Sequence, residues 1–166
     1  MLRSRAFFAQ KNLGSRPLGP VEYVVGVARA LECFDPPPST WLLGEWSARL
    51  GQDLFYPPNV GGWPGGRGWL STQAVVGRAN YAVALVEGNL WVRGGPPDGL
   101  AVARRHGRGR DLDDLLCFYA ELLTGAAPGG WRKRLRDALG RKAGLDAETV
   151  AAALALTLAS PEVHLA

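Results

Sequence analysis

Cysteine, histidine and methionine are scarce in this chain: two, two and one among 166 residues. Cys33 and Cys117 form no CxxC, and neither has His106 or His164 at zinc spacing, which argues against structural zinc. We expect no metal and no cofactor. Two isolated cysteines within helical segments read as buried thiols rather than a disulfide. Long apolar runs are missing as well. None approaches the roughly 18 residues a spanning helix needs, and Met1 to Gln10 offers only Ala6-Phe7-Phe8-Ala9 as an apolar patch. No membrane span and no secretory leader are therefore expected, with a cytoplasmic location by default. Alternating strand patterns and internal repeats are absent too.

Lysine is confined to positions 11, 133 and 142, and the rest of the basic residues are arginines giving a net charge of +4. Arginine excess beside abundant alanine, glycine and proline reads as genome composition before it reads as nucleic-acid binding. The one dense positive stretch, Arg104-Arg105-His106-Gly107-Arg108-Gly109-Arg110, has no interleaved aromatic and is followed at once by Asp111, Asp113 and Asp114. Its field is largely cancelled locally, so a solvated linker is the expected role and nucleic acid is not an expected partner.

What is present is helix punctuation. Gly19-Pro20 opens a helix with proline at its first position, and Val21, Val24, Val25, Ala28 and Leu31 form its apolar stripe. Ser39 caps a second helix carrying Leu42, Leu43, Trp46 and Leu50, stopped at Gly51. Ser71 caps a long central helix with a predicted stripe of Val75, Val76, Ala79, Val83 and Val86, ending at Gly88-Asn89. A short piece over Leu100 to Arg105 follows. Asp111 then starts a helix that buries Leu112, Leu115, Leu116, Tyr119, Leu122 and Leu123 before Gly125. Trp131 to Leu139 makes the next, and Asp146 caps the last, which stops at Ser160-Pro161. The prediction is one all-α domain over residues 1–166, about seven helices around a single core.

One segment breaks this regularity. Between Gly51 and Leu70 the chain sets Phe55, Tyr56, Trp63 and Trp69 among prolines and glycines that forbid regular structure. An irregular ordered loop is expected, with rings that must pack on something or bind something. Three roles are open: holding the loop against the helices beneath, the usual role of such rings; stacking on sugars or bases; or meeting a protein. Arg67, in Gly65-Gly66-Arg67-Gly68, suits either an anion clamp or a bridge to loop carbonyls. The glycines do not form a phosphate cradle, since GxxxxGK[ST] and a preceding strand are both missing. Glu45 and Asp53 are the nearest carboxylates for acid–base work, but Gly51 separates them, and Asp53 reads better as a turn organiser. No Ser-His-acid set is visible, and no catalytic residue is assigned.

The run Leu50-Gly51-Gln52-Asp53-Leu54-Phe55-Tyr56-Pro57-Pro58-Asn59-Val60-Gly61-Gly62-Trp63-Pro64-Gly65-Gly66, continued by Trp69 and by Arg78-Ala79-Asn80-Tyr81, resembles the signature of a large bacterial family, domain of unknown function 1800. Phe7-Phe8, Pro20-Val21-Glu22-Tyr23-Val24-Val25-Gly26, Arg29-Ala30-Leu31 and Ala159-Ser160-Pro161-Glu162 fall in the same order, so the resemblance spans nearly the whole chain. It implies a C-terminal piece of a longer architecture. Helices that would pack on the N-terminal region are then expected to leave an apolar face exposed, favouring self-association or a protein partner. The resemblance brings no catalytic residue. It makes a sulfatase-like family, often encoded beside this one, a candidate partner.

The leading expectation is a non-catalytic binding or assembly module using residues 52–70, with Asp53, Asn59, Trp63, Arg67 and Trp69 as binding residues. The alternative is part of a hydrolase whose remaining site lies in a missing N-terminal region.

Overall fold

The computed structural model describes residues 5, 9, 12, 14–125, 130–140 and 143–165, so Phe7 and Phe8 lie outside the described residues. Among the described residues seven helices follow one another: α1 Pro20–Ala30, α2 Thr40–Arg49, α3 Thr72–Val86, α4 Gly99–Arg105, α5 Leu112–Thr124, α6 Trp131–Leu139 and α7 Ala147–Ala159. Short 3-10 turns occupy Gly66–Leu70 and Pro161–His164. No strand occurs among the described residues, where the only β pairing is an isolated bridge between Pro17 and Leu165. The fold is all-α, as the helix punctuation predicts.

The starts are where the short polar side chains put them. Ser39, Ser71, Asp111 and Asp146 each accept a backbone N–H three residues on, at 3.4, 3.2, 2.8 and 2.9 Å, satisfying donors that a helix N-terminus leaves open. Pro20 sits in the first turn of α1, whose Glu22 carboxylate accepts from Gly19 N at 2.8 Å. Gly125, at φ 71°, ends α5 in the left-handed region that glycine enters without a Cβ penalty. Cys33 and Cys117 are free thiols, and burial pushes Cys33 up to about 11.

Helix faces were harder to read than helix ends. In α1 the buried set is Pro20, Tyr23, Val24, Val27 and Ala28, continued by Leu31 just past its end, while Val25 is 36% exposed, so the core face is turned from the predicted stripe by about one residue. In α3 the prediction is overturned. Its core side is Ala74, Arg78, Tyr81, Ala82, Ala84 and Leu85, whereas Val75, Val76 and Val83 are exposed. The reason is that α3 is apolar all round, and small residues with a tyrosine give the closer approach to its neighbours.

The most extensive helix pair is α3 with α7. They run antiparallel: Val86 shares a groove with Val150 and Ala151, while Tyr23 Oη donates to the carbonyls of both Arg78 and Leu158. Helices α1 and α2 pack together on one flank and α5 and α6 on another. Gly77 lets α2 come close, since a Cβ there would fall 2.6 Å from Leu50 Cδ2.

Candidate functional site

The loop between α2 and α3 is tied at its two ends and open in its middle. At its entrance Gly51 takes φ 101°, and Gln52 Oε1 accepts from Val21 N at 3.1 Å, meeting an open N–H in the first turn of α1. At its exit the 3-10 turn places Trp69 inside, 8% exposed, with its ring beside both Gly51 and Gly19. Trp69 is thus the plug that closes the base of the loop rather than part of the surface the loop offers.

Between these ties the backbone turns three times. Tyr56 N donates to Asp53 O at 3.2 Å; Asn59 Oδ1 accepts from Gly61 N at 2.8 Å; Gly68 N donates to Gly65 O at 3.2 Å. Asn59 therefore shapes a turn through its side chain, as asparagine does in loops. Asp53 shapes one through its carbonyl, and its exposed carboxylate makes no bond among the described residues. Arg67 is exposed and likewise unpaired among them, and Trp63 is half-buried. Phe55 is 88% and Tyr56 77% exposed, Val60 is fully exposed, and Phe55 holds φ 69°, a left-handed conformation that bulky residues seldom adopt. These three stand out where the sequence pointed to the tryptophans. Of the two carboxylates, Glu45 sits 3.9 Å from Arg49 on α2, and no hydrogen bond joins it to Asp53 among the described residues.

Under the exit lies a buried polar cluster that the sequence reading passed over. Arg78 is fully buried, its guanidinium 4.9 Å from the centroid of the Tyr23 ring. Its Nη2 donates to Leu18 O at 2.6 Å and Trp69 O at 3.4 Å, while Nε and Nη1 have no partner among the described residues. Desolvation lowers its pKa, partly offset by Tyr23. No carboxylate pairs with it among the described residues, and Glu162, beside His164, is bound by Arg134. Tyr23 Oη donates to Leu158 O at 2.9 Å, Tyr81 Oη to Val24 O at 2.8 Å, and His164 meets the Tyr23 ring edge-on at 5.4 Å. Burial first, then Arg78, depress His164 to about 4, so it is neutral and its Nε2 faces Leu158 O at 3.2 Å. The available signal was Arg78-Ala79-Asn80-Tyr81, which carries the one charged residue of α3.

Chemically this arrangement holds a loop in place and presents its middle; no group of metal-binding side chains exists among the described residues. An all-α body bearing one anchored, aromatic loop is the architecture in hand. A family model, Protein of unknown function (DUF1800), matches residues 1–165, and the chain belongs to that family. No curated protein and no solved structure matches it.

Proposed function

We propose that this chain is a helical binding module that meets a protein partner through the middle of the 52–70 loop and the outward side of α3. One observation carries the reading. Most of the exposed large apolar side chains among the described residues fall between Leu54 and Val83: Leu54, Phe55, Tyr56, Val60, Leu70, Val75, Val76 and Val83. Isolated apolar residues on a surface need no explanation, but a concentration on one loop and the helix it feeds marks an interaction surface. The turns and the Trp69 plug support it further, because a loop already held in shape loses little entropy on binding. Asn59 shapes the surface, Arg67 and Asp53 offer it free charges, and Trp63 backs it. The N-terminal region of longer family members is the partner this reading favours.

The test is made on the chain itself. Left without its partner, the surface self-associates with rising concentration in sedimentation velocity and binds an environment-sensitive dye. A Phe55→Ser/Tyr56→Ser/Val76→Ser variant sediments as a monomer, loses the dye signal and keeps its helical circular dichroism. A wild-type monomer that binds no dye would overturn the proposal.

A further inference from the structure

At the far end of α3 from the loop, a groove of about 570 Å³ opens between the end of α3 and the starts of α4 and α7. Its walls are Val86, Pro96, Pro97, Leu100, Val150 and Leu154. The volume lies within the roughly 300–1,000 Å³ usual for small-molecule sites. Its charged lining is of one sign: Asp98 and Glu148 stand in it, with no lysine or arginine. That is notable in a chain of net charge +4. Asp98 spends Oδ1 on Ala101 N at 2.9 Å, and Glu148 makes no bond or ion pair among the described residues. A second observation comes from beneath. Tyr119 is fully buried and its hydroxyl has no partner among the described residues, and a Cβ on groove-lining Gly99 would overlap that oxygen. Apolar walls and two carboxylates with spare oxygens surround the slot, and the buried phenol of Tyr119 lies behind Gly99 rather than in the lining.

We infer that this groove binds a small amphiphilic cation, an ammonium head on an apolar chain or ring. The carboxylates take the head, while the proline, leucine and valine walls take the body. Burial of the apolar part supplies most of the affinity and the acids choose the sign of the charge. This site is independent of the 52–70 loop.

Isothermal titration with n-octylammonium, n-octanol and octanoate, each below its micelle concentration, tests it on the whole chain. Octylammonium binds one to one and raises the melting temperature, octanol binds more weakly, and octanoate does not bind. An Asp98→Asn/Glu148→Gln variant, which keeps a capping side chain at 98, binds octylammonium about tenfold less tightly and octanol unchanged. Ala151→Trp fills the slot and removes binding, while Phe55→Ser leaves it intact. Octanoate binding as tightly as octylammonium, or no binding of octylammonium by the wild type, overturns the inference. Both comparisons use the unmutated protein, so a variant that fails to fold leaves the test standing.

Discussion

Two proline- and glycine-rich connections flank α3, and they do opposite things with similar residues. The 88–98 connection after the helix is drawn into the body at its start, though residues 92–96 are exposed: Leu90 is fully buried, Leu90 O accepts from Ser39 N at 2.8 Å, and Trp91 Nε1 donates to Pro36 O at 3.0 Å. The 52–70 loop before it is fixed chiefly at Gln52 and Trp69, and most of its middle faces water. Composition alone therefore does not decide whether such a stretch is scaffold or display. The spacing of its anchors does: adjacent anchors at Leu90 and Trp91 hold the start of one segment against the body, whereas anchors seventeen residues apart, as between 52 and 69, leave the middle free.

The sharpest way to break this contrast is to remove the plug. Trp69→Ala should cost about 3–5 kcal/mol in urea unfolding, because a buried ring is lost and the site is too tied to collapse around the gap. A cost below about 1 kcal/mol would mean the loop is not anchored there. Acid should act on the same base. With His164 depressed to about 4 from its ordinary 6.5, the unfolded chain takes up a proton that the folded one refuses. Stability from this group is complete above pH 6.5 and is lost as pH falls towards 4, by on the order of 3 kcal/mol. His164→Asn should flatten that part of the wild-type pH profile. In hydrogen exchange, the loop exit near Trp69 should open with acid before the segment around Trp91 does.

Smaller effects sharpen the comparison. Trp91→Phe removes one hydrogen bond while keeping a ring, and should cost about 0.5–1.5 kcal/mol in thermal unfolding. Phe55→Gly should have the least effect and the opposite sign. Releasing a left-handed phenylalanine leaves stability unchanged or raises it by about 1 kcal/mol, while dye binding falls. A loss above 2 kcal/mol would make Phe55 a packing residue and end its role in the displayed surface.

Helix ends were legible because capping is local chemistry: Ser39, Ser71, Asp111 and Asp146 act within three residues of themselves. Faces were most legible where one side of a helix was clearly polar. In α5, Asp113 and Glu121 mark the outside, and the core set of Leu112, Leu115, Leu116 and Tyr119 follows directly from the spacing. In α3 both sides are apolar, and periodicity picked out a genuine valine stripe that happens to look outward. The loop's existence followed from proline and glycine, but which rings turn inward depended on contacts with Gly19 and Gly51 from other parts of the chain. Arg78 was hidden for a related reason. An arginine is ordinarily a surface residue, and only the converging carbonyls of Leu18 and Trp69 give it a place inside.

Helix α3 carries the valine stripe on one side and, on the other, the arginine whose guanidinium grips the loop's exit. A visitor that settles on the stripe leans on the same rod that tensions the loop. Restraining the rod would quiet the fluctuations of Trp69 and His164 without touching either, so occupancy outside could be read as slowed amide exchange within.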